Sequence, residues 1–115
     1  MEQAGLELEV KALDGRHIVS AYGDLDAWTA DAFREAVHGV LDQKPDCVIV
    51  DLTRVDYMDS GALQVLVSAC RKMAAKGKLY AVANGAPERL IRTTGLDRLI
   101  QLRRTLDEVR AEADD

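Results

Sequence analysis

A chain of 115 residues, 48% of them hydrophobic, falls within the usual size of one domain and has enough apolar side chains for one real core, so residues 1–115 are expected to form a single domain with its core over about 6–110. Twenty acidic and 15 basic residues leave a formal net charge of −5 with no run of Lys or Arg, which would repel a phosphate backbone and argues against direct nucleic-acid binding. No stretch nears the roughly 20 apolar residues of a membrane span, and the acidic start MEQAGLELEV has neither region of a secretion signal, so a cytoplasmic protein without membrane insertion is expected.

In chain order, residues 6–13 (LELEVKAL) alternate apolar and polar, Asp14 and Gly15 form a turn, and residues 16–22 (RHIVSAY) resume a strand, giving a β-hairpin. After GDLD, residues 27–43 place Ala27, Ala30, Phe33, Ala36, Val37, Val40 and Leu41 at the spacing of an amphipathic helix, which Pro45 stops. Residues 47–52 (CVIVDL) are an uninterrupted run rich in β-branched residues, of the kind buried on both faces of a sheet, and form the expected central strand. A second helix is predicted from Ser60 to Lys76, with Leu63, Leu66, Val67, Cys70, Met73 and Ala74 recurring at helical period and Gly77 just past its end. Residues 78–83 (KLYAVA) form the next strand, Asn84 and Gly85 turn the chain, and a short helix runs from Pro87 to about Thr93 before Gly95 ends it. Residues 99–102 (LIQL) form the last strand and residues 105–112 (TLDEVRAE) a terminal helix with Leu106 and Val109 on one face, while Asp114 and Asp115 fray. The order is that of an α/β domain whose mixed sheet begins with a hairpin and continues in β-α crossover units. In such sheets functional groups collect in loops beyond the carboxyl ends of the parallel strands, here residues 23–26, 53–59 and 84–86.

Cys47 and Cys70 lie in apolar surroundings without CxxC spacing and read as small buried hydrophobes in a reducing compartment, not as a disulfide. His17 and His38 have no second His or Cys at ligand spacing, so each reads as a surface or rim residue and no metal site is expected. Trp28, the only tryptophan, reads as packed across the start of the first helix; the alternative is an exposed partner anchor.

The most informative stretch is DLTRVDYMDSGALQVL, residues 51–66, in which a buried strand runs into a polar loop and Asp59 and Ser60 open a helix. Either residue alone reads as a plain N-cap. A helix start also presents unpaired backbone N–H groups and a partial positive charge, so a hydroxyl there is well placed to carry a phosphate, and Gly61 lets another protein approach closely. The stretch resembles the signature of the STAS family, in which a DLS or DLT strand is followed by a segment close to MDSSGL and an apolar helix. Residues 23–37 (GDLDAWTADAFREAV) resemble the GELD segment and first helix of the same family, and the element order matches over roughly residues 6–110. The resemblance implies a single STAS domain: a superhelix of β-α turns with strands in sequential order and most helices on one side.

In the anti-sigma factor antagonists of this family the serine after the motif aspartate is phosphorylated. By position, Ser60 matches that serine, Asp59 the aspartate before it, Asp26 the last residue of GELD, and Asp51 and Thr53 the end of the central strand. Gly61 stands where a second Ser or Thr is common and Ala62 where the family usually has Gly; this bears on the loop's shape but leaves the acceptor in place. The resemblance implies a non-enzymatic protein without a cofactor that binds a serine-kinase anti-sigma factor, is switched off when that kinase phosphorylates Ser60, and is restored by a serine phosphatase. The expected binding surface combines Asp24, Asp26, Thr53, Asp59 and Gly61 with Gln64, Ser68 and Arg71 on the exposed side of the second helix, leaving Leu66, Cys70 and Met73 to the core.

Other readings have less in the sequence behind them. Ser60 as a nucleophile lacks a GxSxG elbow and an evident base, and NGAP has too few glycines and no following lysine for a phosphate loop. Asp24, Asp26 and Asp59 would gather at a divalent cation only as a partner-bridging ion, since acidic loop residues are more often solvated or capping. The runner-up function is that of other STAS domains, which serve as subunits of lipid or anion transport systems or sense small ligands; the serine at position 60 and the MDS sequence favour the antagonist.

Overall fold

The alternating segments at the start of the chain pair as their pattern predicts, β2 (Leu6–Leu13) against β3 (Arg16–Leu25), with Leu8 opposite Ala21 and Val10 opposite Val19. The computed structural model describes the backbone of residues 2–3, 5–13, 16–73 and 77–113, and the side chains of all these except 2, 3, 13 and 113. The expected turn at Asp14 and Gly15 and the fraying aspartates therefore lie outside the described residues, whereas the second helix, expected to run to Lys76, ends at Lys72, with Met73 already extended at ψ 132°. Ahead of the hairpin a two-residue strand, β1 (Glu2–Gln3), too short to leave a periodic signal, pairs antiparallel with β2.

The chain continues through α1 (Ala30–Leu41), β4 (Cys47–Met58), α2 (Ser60–Lys72), β5 (Lys78–Val82), α3 (Gly85–Thr93), a 3-10 turn (Leu96–Arg98), β6 (Gln101–Arg103) and α4 (Leu106–Ala113). The strands lie in sequential order, antiparallel through β3 and parallel from β3 to β6. Parallel neighbours need crossover helices, and α1, α2 and α3 supply them. Phe33, Val37 and Val40 of α1, Leu63, Leu66 and Ala69 of α2 and Ile91 of α3 pack on Leu8, Val19, Val48, Val50 and Leu52 of one sheet face. Helix α4 alone covers part of the other face, where Leu106 and Val109 meet Cys47, Ile49, Tyr80 and Val82. It is fastened by Glu112, which accepts from Arg103 Nη2 at 2.6 Å; that bond holds the Glu112 carboxyl below the usual range.

Leu66 is fully buried, with Cys70 and Met73 packed against the core at its edge, whereas Gln64 is exposed. Leu66→Ala is therefore expected to cost about 2–5 kcal/mol in urea unfolding, and Gln64→Ala no more than about 0.5 kcal/mol. The opposite ranking would reverse the helix's facing. Cys47 and Cys70 are free, and burial pushes both thiols up, keeping them protonated.

Several boundaries differ from the sequence reading. Helix α1 starts at Ala30 rather than at 27, because Asp26 and Thr29 build a turn of their own ahead of it. Strands β3 and β4 run on through the expected loops at 23–26 and 53–59, to Leu25 and Met58. Register shifts between Ser20 and Tyr22 and between Gly23 and Asp24 let their pairing continue as a two-stranded ribbon beyond the last β5 partner, Asp51. Helix α3 begins at Gly85, taking up most of the expected 84–86 loop. The last strand is Gln101–Arg103 rather than 99–102: Gly95, at φ 80°, opens the 3-10 turn, and Leu99 N–H then donates to Leu96 O at 2.8 Å, leaving Leu99 67% exposed.

Candidate functional site

At the carboxyl end of β4 the chain passes from Met58, buried, through Asp59 into α2. Asp59 is the N-cap: its extended backbone lets Oδ1 accept from Gly61 N–H at 3.0 Å and Ala62 N–H at 3.2 Å, which satisfies two of the donors that a helix start leaves unpaired. These are donors that the sequence reading left open for a phosphate on Ser60. The hydroxyl of Ser60 instead stands at the first helical position, exposed, beside a carboxylate already in place. The helix dipole still favours negative charge there.

Gly61 is half-buried in the same turn, and a Cβ on it would come 3.2 Å from Asp59 Oδ1. Its missing side chain leaves room for the cap, a nearer cause than the approach of another protein. Residues 23–26 are tied to this turn by the Leu25–Met58 pairing and by Asp59 N–H donating to Leu25 O at 3.0 Å. Within them, Asp26 Oδ1 accepts from Trp28 N–H at 2.9 Å and Thr29 N–H at 3.1 Å, while Thr29 Oγ1 accepts from Asp26 N–H at 3.0 Å and donates to Asp24 O at 2.8 Å. Thr29, fully buried, is a functional-loop residue that sequence reasoning missed; its spacing of three from Asp26 is the signal of such a reciprocal cap.

The predicted site residues thus separate by location. Asp24, Asp26, Asp59, Ser60 and Gly61 come together at one end of the sheet. Thr53 lies further back on β4, with its N–H and Oγ1 donating to Asp51 Oδ1 at 3.0 and 2.7 Å. Gln64 and Arg71 are exposed on α2, Arg71 about 16 Å along the axis from Ser60 at 1.5 Å per residue. Ser68 departs from expectation: it is half-buried, and Oγ lies 2.7 Å from His38 Nε2, joining α2 to α1. Burial, with Lys72 and Arg34 nearby, holds the His38 imidazole below its ordinary pKa, so the ring is neutral near pH 7.

Trp28 is 85% exposed, which overturns the packed reading and leaves the anchor reading. Tyr57, 53% exposed, lies on the projecting ribbon opposite Asp24, where the sequence pattern predicts a loop and so gives no sign of it. Among the described residues no three His, Cys, Asp or Glu side chains converge as metal ligands, and Asp26 and Asp59 each spend Oδ1 on a separate turn. No helix of the described residues is long and apolar enough to cross a membrane.

The STAS domain family model matches residues 7–109. The chain is 31% identical over 96 residues to the anti-sigma-F factor antagonist RsfB of Mycobacterium tuberculosis, covering 83% of this chain and 79% of the relative. It is 34% identical over 109 residues to the anti-sigma-B factor antagonist of Listeria monocytogenes, covering 90% and 94%. The crystal structure of an anti-sigma factor antagonist from Mycobacterium paratuberculosis superposes with a TM-score of 0.91 at 32% identity, covering 96% of this chain and 95% of that one. Sequence, element order and fold agree over nearly the whole chain, which belongs to the STAS-domain family of anti-sigma factor antagonists.

Proposed function

We propose that this chain binds a serine-kinase anti-sigma factor while Ser60 is unmodified and releases it when Ser60 is phosphorylated. In that step the γ-phosphoryl group of ATP passes to Ser60 Oγ, the hydroxyl proton leaves and ADP is released; a serine phosphatase later hydrolyses the ester. The chain itself supplies the acceptor and no catalytic group.

The observation that carries this reading is the exposed Ser60 hydroxyl at the start of α2, at the same end of the sheet as two exposed aromatic rings, Trp28 and Tyr57. Large rings left in water are what a partner would bury, since aromatic side chains dominate the centres of protein interfaces. Asp24, Asp56 and Asp59 give this end a negative character, so a phosphate on Ser60 adds like charge to a surface that a partner must desolvate. Gln64 and Arg71 extend the same exposed side of α2, whereas Ser68 is committed to His38 and acts through helix packing.

Intact-mass measurement after incubation with the cognate kinase and ATP is the test. Wild type is expected to gain one phosphoryl group and Ser60→Ala none. Equal uptake by the two proteins would sink the assignment of Ser60.

A further inference from the structure

Among the described residues, the sheet face opposite the main core is covered only in part. Helix α4 shields Cys47, Ile49, Tyr80 and Val82, and beside it lies a cavity of about 440 Å³ over the first residues of β3 and β4. That volume is within the range of about 300–1,000 Å³ typical of small-molecule sites. Its apolar surface comes from Ile18 and Ile49, direct neighbours across the β3–β4 pairing, and from Leu106 of α4. Among the described residues, every charged one lining it is a cation, Lys11, Arg16 and Arg110, in a chain whose net charge is −5.

All three cations already have partners: Lys11 Nζ lies 2.9 Å from Glu9 Oε1 and Arg110 Nη1 3.7 Å from Asp107 Oδ1, both exposed carboxylates outside the lining, and Arg16 is engaged as well. Exposed pairs of this kind contribute little and are screened by salt, so an entering anion displaces the carboxylates at small cost. Guanidinium groups in turn bind a carboxylate by paired, charge-assisted hydrogen bonds.

We infer that this cavity binds a free medium-chain fatty carboxylate, with the alkyl chain against Ile18, Ile49 and Leu106 and the carboxylate among Lys11, Arg16 and Arg110. Arg16 opens β3 and Ile49 is the third residue of β4, whereas Ser60 follows the far end of β4. The two sites therefore lie at opposite ends of the sheet, and the inference does not rest on the switch proposed for Ser60.

Titration of the full chain with octanoate and decanoate below their micelle thresholds, followed by backbone amide chemical shifts, tests it. Saturable shifts are expected at Lys11, Ile18, Ile49 and Leu106, with affinity rising roughly fourfold for each CH₂ buried. Decanol and acetate should each bind at least tenfold more weakly than decanoate. Arg110→Glu should weaken decanoate tenfold or more, and because that change can loosen α4, Lys11→Glu on β2 provides a second charge reversal. Decanol binding as well as decanoate, shifts confined to the Trp28 and Tyr57 end, or no saturable shift would overturn the inference. Concentration-dependent dimerisation that removes decanoate binding would assign the face to a second copy of the chain instead.

Discussion

Phosphorylation of Ser60 is expected to weaken binding to the anti-sigma factor roughly a hundredfold, with Ser60→Asp imitating this in part while keeping a near-native circular dichroism spectrum, and Ser60→Ala is expected to bind whether or not ATP is present. The fold survives because Ser60 is exposed and opens a helix whose dipole favours negative charge at that end. The complex does not, because two of the helix-start donors that could meet the new charge are already taken. Asp59 Oδ1 already holds the Gly61 and Ala62 N–H groups, and its carboxylate adjoins the modified residue. A phosphate brings roughly 1.5–2 negative charges, so a partner covering it must strip its water without a cation from this chain in return. A penalty of about 3 kcal/mol is enough for the hundredfold loss. Trp28, the only tryptophan and 85% exposed, gives a direct readout: its emission should shift to shorter wavelength when a partner buries it. Equal affinity for Ser60→Asp and Ser60→Ala, or unfolding of Ser60→Asp, would overturn the interface switch.

The residues that made the site visible in the sequence are those whose local pattern decides their structure. CVIVDL followed by MDSGAL announces a buried strand meeting a capped helix, and α2 begins at Ser60 as that pattern requires. The helical stripes of α1 and α2 likewise identified Phe33, Val37, Leu63 and Leu66 as core. Features that depend on pairing between distant segments were not visible in this way. Residues 53–59 read as a loop, yet bulged pairing with β3 keeps the chain in strand through Met58 and leaves Tyr57 exposed. Ser68 has the spacing of an exposed helix position, but His38 arrives from α1, 30 residues earlier. The partly covered second face is also a tertiary outcome, since it depends on where α4 docks across the sheet.

Gly23→Ala is expected to destabilise the fold by about 3 kcal/mol or more, the largest effect of any single methyl added near the site. Gly23 has φ 113°, in the region that side-chain-bearing residues avoid, and a Cβ there would lie 2.2 Å from the Gly5 carbonyl oxygen. Backbone strain of this kind costs on the order of 1–3 kcal/mol. The clash adds to it, because Gly5 O cannot move away without losing the 2.8 Å bond that it accepts from Asp24 N–H, worth about 1 kcal/mol. The damage falls where β3 bulges to carry Asp24, Asp26 and Trp28 toward Ser60, so binding should weaken together with stability. Gly39 supplies the contrast: it lies on the exposed side of α1 with nothing within 4 Å of an added Cβ, and Gly39→Ala should stabilise the protein by about 0.5–1 kcal/mol through helix propensity. Urea unfolding of the two variants side by side separates the effects. If Gly23→Ala unfolds at the same midpoint as wild type, the close approach of Gly5 does not explain the glycine at this position.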